Sequence, residues 1–206
     1  MRGADAQGRH RDHGSARRGA AVALAAAGAL VLAGCTTGDA QQVVGQGYVA
    51  GDGSLVQLAP EDRGDPVELA GTTLDGEQVD VADWRGAPVV LNTWFAACGP
   101  CREEAPDLVE VATATAGDGV NFLGINVSDG PAQGTAFEEQ FGVPYPSLED
   151  RDGKGVLALR GQLPPASTPT TLVLDPQGRV AARFSGAVQD PSTLRAVIDD
   201  AAAEGA

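Results

Sequence analysis

The sequence predicts an α/β sandwich: a mixed central β-sheet flanked by helices, with an extra N-terminal β-hairpin. Three observations carry this. Apolar runs of strand length, at 89–95 and 120–127, alternate with segments of helical periodicity. That alternation implies crossovers and parallel pairing. Two further β-rich runs, at 170–174 and 180–185, are separated by Asp175-Pro176-Gln177-Gly178, a turn that imposes antiparallel pairing. Finally, residues 67–74 and 77–81 flank Asp75-Gly76, a hairpin signal.

The elements follow in order. Residues 48–58 suit a short edge hairpin around Gly51-Asp52-Gly53. After the 67–81 hairpin, Ala87-Pro88 introduces the buried strand at 89–95. A helix is expected over 102–116, with Leu108, Val109, Val111 and Ala112 at helical spacing and Gly117 as its stop. The strand at 120–127 precedes a helix over 133–141 that ends at Gly142. A short helix is expected over 154–159. After the last two strands, 192–203 forms an amphipathic helix with Leu194, Val197 and Ile198 on one face.

Charge divides the chain. Residues 1–34 carry five Arg against Asp5 and Asp12, a net of +3, which leaves −17 for the remainder of a chain at −14. An acidic body argues against nucleic-acid binding, which needs clustered cations against phosphate. After Arg17-Arg18 comes an uncharged run rich in Ala, Leu and Val, ending at Gly34. It is shorter than the roughly 20 residues of a membrane span. A basic segment before a short apolar one reads as an export signal. Leu32-Ala33-Gly34-Cys35 resembles the lipobox of bacterial lipoproteins, in which the chain is cut before the Cys and its thiol takes a diacylglyceryl group. The resemblance implies a lipidated Cys35 and a membrane tether. The expected organisation is a lipoprotein signal peptide at 1–34, a lipidated N-terminus with tether and edge hairpin at 35–64, and one globular domain at 65–206.

The chain has three cysteines. With Cys35 lipidated, Cys98 and Cys101 pair with each other or with another protein, outside the cytosol where disulfides persist. They end the stretch WFAACGPC, from Trp94 to Cys101. A CxxC between strand and helix puts the first thiol at a helix N-terminus, where free N–H groups and the dipole favour the thiolate. The second thiol sits one turn inside the helix. Thiol–disulfide exchange needs such a nucleophile, here Cys98, and a resolving thiol, here Cys101. Pro100 suits an early helical position, and Gly99 leaves room for a partner backbone. Three other readings compete. A zinc site needs about four ligands, but the two histidines, His10 and His13, lie in the signal; no metal is expected. A purely structural disulfide closes too small a loop to stabilise much. Peroxide reduction is the third: peroxiredoxins resemble this fold, but in them the reactive Cys follows a Thr at a shorter spacing than that from Thr93 to Cys98.

The run WFAACGPCREEAP resembles the active site of thioredoxin-like proteins of the exported TlpA/ResA type, and the resemblance covers roughly 65–203. Trp94 matches the Trp four residues before the first Cys, and Pro106 the Pro that kinks the active-site helix. Ser167-Thr168-Pro169-Thr170 matches the loop whose cis Pro packs against the CxxC. The resemblance implies a thioredoxin-like sandwich and a membrane-tethered thiol–disulfide oxidoreductase on the outer face of the cytoplasmic membrane. It implies a reductase with no cofactor beyond the Cys98–Cys101 disulfide. Electrons would come from a membrane donor of the CcdA type and pass to disulfide-containing exported proteins, apocytochrome c among them. An oxidase of secreted proteins and a non-catalytic binding lipoprotein are the alternatives. Substrate contacts fall to Trp94, Gly99, Pro100, Thr168 and Pro169. Thioredoxin's buried Asp is here Asn92. Glu104 stands where an acidic residue modulates the thiols in ResA-like proteins; read alone, it is an ordinary first-turn helix Glu. Ala97 replaces the bulky residue usual before the first Cys, which flattens the rim.

Overall fold

The computed structural model describes residues 47–50, 54–163 and 168–204. The chain divides into units at 1–42 and 43–206, and every described residue lies in the second. The signal peptide and Cys35 lie outside the described residues.

The fold is thioredoxin-like. Seven strands form one sheet in the order β1-β2-β9-β8-β5-β6-β7. They are β1 (Tyr48–Val49), β2 (Leu55–Gln57), β5 (Val89–Trp94), β6 (Asn121–Asn126), β7 (Ser147–Glu149), β8 (Thr170–Leu174) and β9 (Val180–Ser185). β3 (Ala70–Thr72) and β4 (Gln78–Asp80) form a separate antiparallel pair. The helices are α1 (Gly99–Thr115), α2 (Pro131–Phe141), α3 (Lys154–Ala158) and α4 (Pro191–Ala203). β5, β6 and β7 run parallel, whereas β8 is antiparallel to both β5 and β9. The sheet is therefore mixed, as its short and long connections require.

β5 is buried along its whole length, as expected of a central strand covered on both faces. Its side chains alternate between two cores. Val90 joins Phe122, Val173 and Ala182 under Leu108 and Val111 of α1 and Leu194, Val197 and Ile198 of α4. Val89 and Leu91 join Leu123, Ile125, Leu172 and Leu174 on the other side, with Val67, Leu69 and Val81. A third cluster gathers Leu74, Trp94, Ala105 and Phe137 with the two cysteines.

The structure departs from the sequence expectations in three places. The edge hairpin is present, and its second strand pairs with β9, with Leu55 opposite Phe184. The sheet thus reaches N-terminal of Asp65, where the globular domain was expected to begin. Arg63 fastens this segment down: its buried guanidinium contacts Asp175 at 3.0 Å and the carboxylate of Glu204. α1 begins at Gly99 rather than residue 102, because Cys98 caps it and Pro100 suits the first turn. β7 was not foreseen. It lies on β6, with Ile125 opposite Leu148.

Candidate active site

The site forms at the C-terminal end of β5, where the strand turns into α1. Cys98 is the N-cap of α1, and its Sγ accepts the N–H of Cys101 at 3.2 Å. The two cysteines are joined in a disulfide with their Cα atoms 5.3 Å apart. Gly99, Pro100 and Ala97 are exposed around them. Cys98 itself is only 5 % exposed. In the oxidised state its sulfur faces Cys101 and the first turn of the helix.

The loop before Cys98 is held by polar contacts. Asp129, buried between β6 and α2, accepts the N–H of Ala96 at 2.6 Å and the side-chain amide of Asn126 at 2.9 Å. The carbonyl of Ala96 accepts from Arg102 Nη1 at 3.3 Å. The Arg102 guanidinium also lies over the Phe141 ring, 5.0 Å from its centroid.

Trp94 was expected to touch substrate, but it is 4 % exposed. It is stacked on Phe137 with ring centroids 4.3 Å apart, so it supports the loop from beneath. Its apolar ring gains more from this aromatic stack than from an open rim. Gly124 of β6 makes room for it: a Cβ there would stand 2.6 Å from Trp94 Nε1 and 2.2 Å from Ser147 Oγ. Phe95 is half-buried.

The Thr168–Pro169 bond is cis. Thr170 pairs with Thr93, so the register sets Pro169 beside the end of β5, next to the turn that carries the cysteines. Thr168 is partly exposed and Pro169 buried. The Pro169 carbonyl accepts from Gly186 at 3.0 Å.

Glu104 is 1 % exposed, on the inner face of α1, whereas Glu103 is exposed. With the helix starting at Gly99, both residues lie beyond its first turn, and Glu103 alone is solvated. Glu104 Oε1 accepts from Asn92 Nδ2 at 2.9 Å, and Oε2 accepts from the Val188 N–H at 2.8 Å. Burial pushes its pKa up to about 7, against the two hydrogen bonds, which favour the charged form; Asp107 nearby adds to the rise. A carboxyl that titrates near neutrality one helical turn from Cys101 is suited to accept or return a proton. Asn92 also donates to Thr171 Oγ1 at 3.0 Å, tying α1, β5 and β8 together.

Sequence reading missed Asp129 and also Tyr145, which lines a small cavity with Cys101 and Asn92. The signal for Asp129 was present: Asp129-Gly130-Pro131 is a helix-start pattern. Nothing local marked its contact with Ala96, which lies 33 residues away. Tyr145 sits between two prolines in a segment without periodicity.

Comparison with known proteins agrees with this architecture. The sequence profile described as Redoxin matches residues 56–198. The thiol-disulfide oxidoreductase ResA of Geobacillus thermodenitrificans is 34 % identical over 113 residues, 55 % of this chain and 63 % of that protein. The thiol:disulfide interchange protein HelX of Rhodobacter capsulatus is 34 % identical over 106 residues, 51 % of this chain and 56 % of that protein. The chain thus spans between about half and two thirds of the length of these curated relatives. Among solved structures, a DsbF homologue from Corynebacterium diphtheriae superposes with a TM-score of 0.64 at 33 % identity, covering 74 % of this chain and 96 % of its own. A secreted thiol-disulfide isomerase from Corynebacterium glutamicum gives 0.66 at 29 %, covering 75 % and 96 %. With its profile matched from β2 into α4, the chain belongs to the Redoxin family.

Proposed function

We propose that the chain is an exported thiol–disulfide oxidoreductase that reduces disulfides in partner proteins. The observation that carries this reading is the Cys98–Cys101 disulfide across the first turn of α1. In the reduced form the helix N-terminus stabilises the Cys98 thiolate. That thiolate attacks a partner disulfide and forms a mixed disulfide, and the first partner sulfur leaves as a thiolate. Cys101 then loses its proton and attacks Cys98 Sγ, and the second partner sulfur leaves. The partner gains two electrons and two protons, and the Cys98–Cys101 disulfide forms. Glu104 is the residue best suited to hold a proton during this cycle. Gly99, Pro100 and Thr168, partly or fully exposed, and Pro169 beside them receive the partner chain.

The finer assignment has its own support. The lipobox-like Leu32-Ala33-Gly34-Cys35 supports a lipid anchor on the outer face of the cytoplasmic membrane. Resemblance to TlpA/ResA-type proteins supports a CcdA-type membrane donor and exported acceptors, with apocytochrome c among them. No cofactor beyond the dithiol enters this mechanism.

The test is the reduction potential of the Cys98–Cys101 couple at neutral pH. A value near −270 mV, as in thioredoxin, or not far above it, supports the reductase. A value near −120 mV reverses the direction and makes the protein an oxidase. Absence of a reversible couple leaves a binding module.

A further inference from the structure

Behind the disulfide lies a cavity of about 10 Å³, lined by Asn92, Cys101 and Tyr145 and closed by the carbon of Trp94, Phe137 and Val143. That is about the room one water needs. Its three polar-lined walls come from β5, α1 and the loop before β7. Asn92 spends both amide hydrogens on Glu104 and Thr171, which leaves Oδ1 as an acceptor. The Tyr145 ring lines the cavity and packs on Phe122 with centroids 5.4 Å apart. That hydroxyl lies in the fields of both Glu104 and Glu138. Burial and these two carboxyls raise its pKa, so it stays a neutral O–H, able to donate and to accept.

We propose that Tyr145 is a positioning residue for proton transfer at Cys101, holding with Asn92 a water that takes up the Cys101 proton. The proposal rests on the thiol–disulfide reading above. In the resolving step the Cys101 S–H bond breaks and its proton passes to the water and on to solvent. The Cys101 thiolate then forms the bond to Cys98 Sγ, and the departing partner thiolate takes up a proton. The Tyr145 O–H stabilises the charge that develops in the cavity. The charges of Glu104 and Glu138 act on Tyr145, Asp107 acts on Glu104, and Arg102, next to Cys101 in sequence, lies over the Phe137 ring that closes the cavity.

The test mixes the reduced full chain, carrying Cys35→Ser in every variant and in the wild-type reference so that Cys98 and Cys101 are the only thiols, with dithiobis(nitrobenzoate). One coloured thiolate is released when Cys98 attacks and a second when Cys101 resolves the mixed disulfide. Tyr145→Phe keeps the ring and its packing on Phe122. It should leave the first release unchanged. It should slow the second about tenfold at neutral pH and move its midpoint up by about one pH unit, as expected for losing one hydrogen bond to a charged group. Deuterium oxide should slow the second release in the wild type and do so less in Tyr145→Phe. Superimposable pH profiles for the second release, with equal isotope effects, would overturn the role of Tyr145. A wild type with no first release would overturn the dithiol reading and this proposal with it.

Discussion

Asn92 donates to Glu104 Oε1 at 2.9 Å, from β5 to α1, through a layer where neither side chain meets solvent. A carboxyl in this position costs stability when it ionises. Its pKa rises from 4.5 to about 7 on folding. Below about pH 4.5 it is protonated in the folded and unfolded states alike, and stability is complete. As pH rises through about 7, the unfolded chain has already released its proton and stability is lost. Glu104→Gln should therefore gain on the wild type by roughly 2–4 kcal/mol between acid and mildly alkaline pH. Denaturant unfolding across that range measures the difference directly. Parallel curves would show that Glu104 titrates normally.

Asp129 holds the loop that delivers Cys98. Asp129→Ala removes the acceptor from the Ala96 N–H and from the Asn126 amide, both held at hydrogen-bond distance. Leaving buried donors unpaired costs about 1–3 kcal/mol each. The expected result is a loss of roughly 2–4 kcal/mol in urea unfolding, with faster amide exchange at Ala96. Asp129→Asn, which keeps one acceptor oxygen, should lose less.

Gly124→Ala tests the packing under Trp94. The added methyl meets Ser147 Oγ and Trp94 Nε1 well inside contact distance. Overpacking of this kind costs about 1–3 kcal/mol. A lower Tm should accompany a changed Trp94 fluorescence spectrum, because the indole must move. Unchanged fluorescence would place the strain elsewhere.

The two cysteines should separate by phenotype. Cys98→Ser should abolish reduction of a disulfide substrate such as insulin. Cys101→Ser should instead accumulate a mixed disulfide with it, visible by non-reducing electrophoresis and mass spectrometry. Trapping by Cys98→Ser, and not by Cys101→Ser, would exchange their roles.

What the sequence discloses depends on how local each cause is. β5, β6, β8 and β9 announce themselves through apolar runs whose burial is continuous or alternating. α4 does so through Leu194, Val197 and Ile198, all of which reach the core. β7 is silent: Ser147–Glu149 is three residues long, follows Pro144 and Pro146, and owes its pairing to β6. The CxxC and its neighbours are legible because thiol chemistry restricts residue type and spacing together. The burial of Glu104 is not, because its partners, Asn92 and the Val188 N–H, are 12 and 84 residues away. Trp94 misled for a related reason, since the Phe137 that covers it belongs to α2, beyond the next strand in the chain.

One row of the sheet has a practical consequence. Tyr48 pairs with Gln57, Gln57 with Ala182, Ala182 with Val173, and Val173 with Val90. Tyr48 is thus level with the start of β5, whereas the cysteines follow its end, four residues beyond Val90 and about 13 Å further along. The strand that leads the chain into the sheet and the redox turn occupy opposite poles. Protein immobilised on a bead or sensor through position 48, as in Tyr48→Cys, therefore presents the disulfide toward the solution.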